Sequence, residues 1–175
     1  MKITHEQIDE IINDFENCPV DENTPPLPFN IETLQENFNA QINPLLDKTF
    51  ELGELDEETL QLLRQLLLID EYQIYSADDM EFFFNIFGDT IGLFGIKKPD
   101  ENFKILRLCF TVPDNSREAR TLDFVFYAFT KIFFPEGDSV EFINALKANP
   151  SVTRGGVIFS LVQKDNLLTV TALAE

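Results

Sequence analysis

The order of helix and strand signals predicts an α+β protein. Its N-terminal helices are followed by a four-stranded antiparallel sheet in strand-strand-helix-helix-strand-strand order. Three observations carry that expectation. Apolar residues recur at helical spacing through most of the chain before Thr90. Two strand pairs, "TIGLFGIK" with "FKILRLCFTV" and "GGVIFSLVQ" with "LLTVTALA", are each joined by a turn signal, "KPDEN" or "KDN". Between the pairs lie two stretches with helix-start residues and apolar faces.

The first helix is announced by Thr4-His5-Glu6-Gln7, a capping box in which the Thr hydroxyl and the Gln amide satisfy free backbone donors. Ile8, Ile11, Ile12 and Phe15 follow at helical spacing, and the helix is expected to end near Asn17. Next comes "CPVDENTPPLPF", which holds four of the nine prolines and favours an extended linker over a helix. On this reading residues 1–29 form an amphipathic helix with a Pro-rich linker, and residues 30–175 form one α+β domain.

Helical spacing returns at Asn30 with Ile31, Leu34, Phe38, Ile42 and Leu45, and Pro44 weakens the last turn. A third helix is expected from Asp56 to Ile69, its acidic start matching the positive end of the helix dipole. Leu60, Leu63 and Leu67 make its core stripe, and Leu62, Leu66 and Leu68 widen it so far that the helix reads as sandwiched. A fourth is expected from Ser76 to Gly88: Asp78 and Asp79 would fill its first turn, and Met80, Phe83, Phe84 and Phe87 fall at i, i+3, i+4, i+7. After the first strand pair, Asn115 with Glu118 starts a helix whose face runs from Leu122 to Phe133, and Asp138 with Glu141 starts a shorter one ending before Pro150.

At 175 residues and 20.1 kDa the chain is long enough to bury a core without disulfides. Cys18 and Cys109 have no spacing of a disulfide or zinc framework and read as free thiols of a reduced compartment. The opening "MKITHEQIDEII" lacks the apolar run of a signal peptide, and no stretch has the length of a membrane span, so a cytoplasmic protein without membrane contact is expected.

The net charge of −18 is unevenly placed. Residues 1–96 hold 21 Asp and Glu against Lys2, Lys48 and Arg64, which accounts for all of it, whereas residues 97–175 hold ten of each sign. Such a field attracts basic partners and opposes direct nucleic-acid binding.

Several chemistries find no support in the residues. The one histidine, His5, sits at a helix start and leaves a Ser-His-Asp or Cys-His arrangement without its base elsewhere. Gly88, Gly92 and Gly95 have neither dinucleotide-binding spacing nor a following phosphate-loop lysine, and "DEETLQ" lacks the alternating ligands and glycine of a calcium loop. His5 with Glu6 and Asp9 lacks the second histidine of a metal-binding helix. No enzyme activity, metal or cofactor is therefore expected.

The leading expectation is a non-enzymatic module that binds a basic protein partner, of the immunity, chaperone, inhibitor or nucleic-acid-mimic type. Glu54, Asp56, Glu57, Glu58, Asp78 and Asp79 would form its acidic face. The alternative is a small-molecule binding domain with an aromatic cavity between sheet and helix. Phe82, Phe124 and Tyr127 fall off the principal stripes and are the candidates to line it or to dock a protein. Arg154, before Gly155-Gly156, together with Arg117 and Arg120 at a helix start, is a candidate anion site. Against these stand the ordinary uses of the same residues, namely core packing for the aromatics, turn geometry for the glycines and solubility for the charge.

Overall fold

A computed structural model describes residues 3–16, 20, 23–77 and 79–175, without the side chains of 15, 16 and 77. Cys18 and Asp78 lie outside the described residues. The elements run α1 (His5–Glu16), α2 (Ile31–Glu51), α3 (Glu57–Leu66), β1 (Gln73–Ala77), β2 (Met80–Phe87), β3 (Ile91–Lys97), β4 (Phe103–Thr111), α4 (Ser116–Phe133), α5 (Ser139–Ala148), β5 (Val152–Arg154), β6 (Val157–Lys164) and β7 (Leu167–Ala174). The strands form one antiparallel sheet in the order β1-β2-β3-β4-β7-β6-β5.

The α+β class with an antiparallel sheet is as the sequence predicts, but the sheet has seven strands rather than four. Most of the difference lies at residues 73–87, where the expected fourth helix is the hairpin β1–β2. Phe82, Phe83 and Phe84 fit a helical stripe only in part, and as a strand they supply both faces of the sheet. Phe83 and Phe87 pack beneath the helices, while Phe82, Phe84 and Ile86 join the opposite cluster. Short apolar runs are ambiguous between the two periods, and pairing with β1 and β3 decides the matter here. Gly88, read as a helix stop, turns the chain from β2 toward β3 with φ 62°. The seventh strand, β5, is only three residues long.

One face of the sheet is buried under α2–α5. Leu34, Phe38, Ile42 and Leu46 of α2, Leu60 and Leu63 of α3, and Val125 and Phe129 of α4 meet Phe83, Leu93, Leu106 and Val170 in a single core. Toward β6 that core becomes a ring cluster: Phe159 lies 5.0 Å from Phe142 and 5.1 Å from Phe133, both edge-on. Gly95 has a specific reason to be glycine, since a Cβ there would stand 2.7 Å from the Phe103 ring that lies across β3. Helix α2 runs through Pro44 to Glu51. Pro44 and Ala40, whose carbonyl cannot accept from a proline, are both on the solvent side of the helix, while Leu46 and Thr49 hold the last turns on the core.

The opposite face carries Phe82, Phe94, Ile96, Ile105 and Cys109, against which Ile11 of α1 is buried and Ile8 packs. The Thr4–Gln7 capping box forms, with the Gln7 N–H donating to Thr4 Oγ1 at 3.1 Å and the Thr4 N–H to Gln7 Oε1 at 3.0 Å. The Pro-rich stretch is tied to the start of β4. Leu27 N–H donates to the Phe103 carbonyl and Phe103 N–H to the Phe29 carbonyl, each at 2.7 Å, and Lys104 Nζ reaches the Thr24 carbonyl. Leu27 and Phe29 are buried, so this stretch packs as well as connects.

Candidate functional site

A groove of 710 Å³ lies between α3 and the first turns of α4. Asp56 caps α3 by accepting from the Thr59 N–H at 2.7 Å, and that bond, followed by one from the Thr59 side chain, holds the Asp56 carboxyl below the usual range. The cap fixes where the exposed residues Glu57 and Glu58 stand, at the positive end of the helix. Glu58, Thr59, Leu62 and Leu63 form one wall; Arg117, Arg120 and Asp123 contribute to the other. A second groove of 310 Å³ continues from Leu66 and Phe87 to Thr90 and Asn115, and Arg117 borders both.

Sequence and structure diverge usefully at α3. The leucine excess implies a helix enclosed on all sides, yet only Leu60 and Leu63 of α3 are buried, with Leu67 at its C-cap. Leu62 and Leu66 are half-buried and line the grooves instead. Their number in the sequence is the signal that could have located the grooves, because a helix with more leucines than its core needs has an apolar flank left over.

Of the acidic candidates, Glu54, Asp56, Glu57 and Glu58 are brought together and exposed at the entry to α3. Asp79 is exposed in the turn between β1 and β2, as part of a hairpin and not of a helix start. Asp123 was not foreseen. Partial burial pushes its carboxyl upward, against the opposing pull of Arg120.

The arginine candidates do not assemble into one site. Arg117 and Arg120 border the α3–α4 groove, and Arg120 donates from Nη1 to the Glu54 carbonyl at 2.6 Å. Arg154 lies on the edge strand β5, where Nη1 and Nη2 each donate to the Glu141 carboxylate at 2.7 Å. That fork lowers the Glu141 pKa and raises that of Arg154, so the Arg154 charge is engaged within the protein.

Nor do the three aromatic candidates line a common space. Phe82 is stacked on Tyr75 on the α1 side of the sheet, with centroids 5.5 Å apart, whereas Phe124 is buried in the core on the other side. Tyr127 is half-buried, with Lys131 Nζ 5.5 Å from its ring centre. Phe83, Phe103, Phe129, Phe133 and Phe159 occupy the interior between sheet and helices.

Among the described residues no three His, Cys, Asp or Glu side chains are grouped to hold a metal ion, and no helix is long and apolar enough to cross a membrane. Cys109 is buried, with the Thr169 hydroxyl 3.6 Å from Sγ, and burial pushes its thiol up to about 11, which disfavours the nucleophilic thiolate. No model of a protein family, no curated protein and no solved structure matches the chain.

Proposed function

We propose that the protein is a non-enzymatic binding module that receives a basic protein on its acidic half, centred on the α3–α4 groove. The observation that carries this reading is the run of exposed acids Glu54, Asp56, Glu57 and Glu58 at the entry to α3, of which Glu58 lines an open groove with Leu62 and Leu63, opposite Arg117, Arg120 and Asp123. Charge at the rim steers a cationic surface and selects it, while the leucines supply an apolar seat for one or two anchoring side chains. The bias extends along the chain, since the stretch from Gln65 to Ile96 contains no Lys or Arg.

The test is affinity capture from lysate of the source cells at low salt, with the native chain compared against a variant carrying Glu54→Gln, Asp56→Asn, Glu57→Gln and Glu58→Gln. A basic protein held by the native chain, released as salt rises and retained at least about tenfold less by the variant is the expected result. Equal retention by both chains, or an empty eluate, would count against the α3 surface.

A further inference from the structure

The sheet has two edges of different character. Strand β5 has only three residues and ends at Arg154, which is bound to Glu141. Strand β1 has five, Gln73–Ala77, pairs among the described residues with β2 alone, and keeps an unbroken register without lysine, proline or a bulge. In an antiparallel ladder alternate residues direct their N–H and C=O groups to opposite sides, so about two residues of β1 direct these groups away from β2.

The side chains along this edge fit an apolar contact. Ile74 sits opposite Phe83 on the helix-covered face yet is 40% exposed, so the helices stop short of β1. On the other face Tyr75 is half-buried, its ring stacked on Phe82. The ends of the strand are acidic: exposed Asp70 and Glu71 precede it and exposed Asp79 follows it. A second copy of this chain would bring those carboxylates against their own kind, which disfavours self-pairing. A strand carrying lysine or arginine would meet only opposite charge.

We infer that β1 takes up an extended basic segment of the partner protein by strand addition, with the segment's apolar residues over Ile74 and Tyr75 and its cations toward Asp70, Glu71 and Asp79. This rests on the reading of the acidic half as the receptor for a basic protein and names how part of that partner is held. Main-chain bonds supply affinity without demanding a sequence, and the acidic ends restrict the choice to cationic strands.

The experiment uses the full chain, isotopically labelled, and two octapeptide probes of equal charge, one alternating Lys with Val and one alternating Lys with Pro. Proline removes donors and cannot enter a ladder, so the two differ in strand competence and not in charge. The expected result at low salt is slowed amide exchange within Gln73–Ala77 on adding the Lys-Val peptide, with the Lys-Pro peptide at least about tenfold weaker. Equal binding of the two peptides, protection confined to other elements, or a Kd weaker than about 1 mM for the Lys-Val peptide would overturn strand addition. The α3 variant separates the two readings. Strand-selective protection that persists in it supports the β1 site while counting against the α3 surface, and equal binding of both peptides that vanishes in it does the reverse.

Discussion

The two lateral halves of the molecule treat charge in opposite ways. In the half built from α4, α5 and β5–β7, residues 112–175 set six Lys and Arg against eight Asp and Glu, and some of that charge is engaged locally, as where Arg154 grips Glu141 and the Lys131 ammonium lies over Tyr127. In the half built from α2, α3 and β1–β3, acids outnumber bases so heavily that internal pairing cannot satisfy them, although Arg64 does pair with Asp47 and Lys97 with Glu81. The difference separates two uses of a surface. One half spends its charge on its own shape, and the other keeps a field that acts outward.

The largest expected effect tests whether the half around α4 and α5 is a structural unit. Phe159→Ala removes the ring on which Phe133, Phe134 and Phe142 converge, and should cost about 3–5 kcal/mol in urea unfolding. A loss below about 1 kcal/mol would mean that the ring cluster does not hold that half together.

Next in size is an effect at the seam, because β4 joins the halves and carries Cys109. Burial raises its thiol from 9.0 to about 11, so the folded state holds the proton more tightly than the unfolded chain. The associated stability is complete below the unfolded value, declines as pH climbs above it and is lost by the time pH passes the folded one. The decline should be about 2–3 kcal/mol between roughly pH 9 and 11. In Cys109→Ala the baseline is lower but this alkaline slope should disappear from denaturation curves. An unchanged slope would assign it to other groups.

The smallest expected effect sharpens the contrast within the acidic half itself. Asp56 has an internal task as the cap of α3, and Asp56→Ala should lower Tm by a few degrees at neutral pH. Its folded pKa lies below 3.8, so this contribution is present above that value and fades as pH falls through the lowered one. Native and variant melting points should therefore converge in acid. Glu57→Gln with Glu58→Gln gives up only an interaction with the helix end and should shift Tm less. A larger shift than that of Asp56→Ala would mean that these two glutamates also serve the fold.

Where a local pattern had one solution, it was legible. The Thr4–Gln7 box, the Asn115 and Asp138 caps and the α4 face all form as their spacing implies. Residues 80–87 had two solutions, since Met80, Phe83, Phe84 and Phe87 satisfy a helical period while Phe82 to Phe84 can equally serve both faces of a sheet. The acidic run beside Asp56 was legible as a helix start, but the groove next to it was not, because its second wall is α4, about sixty residues away in the chain. Arg154 shows the same limit, since grouping it with Arg117 and Arg120 required positions that only the sheet order assigns.

The sequence by itself determined the starts of α1 to α5 but not the false start at Ser76, and it determined the α+β class, the free thiol at Cys109 and the confinement of excess charge to residues 1–96, since each is a property of composition or of neighbours within one or two turns. The tertiary structure decided that 73–87 is a hairpin, that Leu62 and Leu66 line grooves, and which strands stand at the edges of the sheet. These depend on what lies beside a segment in space. An amphipathic pattern records that a face must be covered, and only the packed chain supplies what covers it or leaves it open.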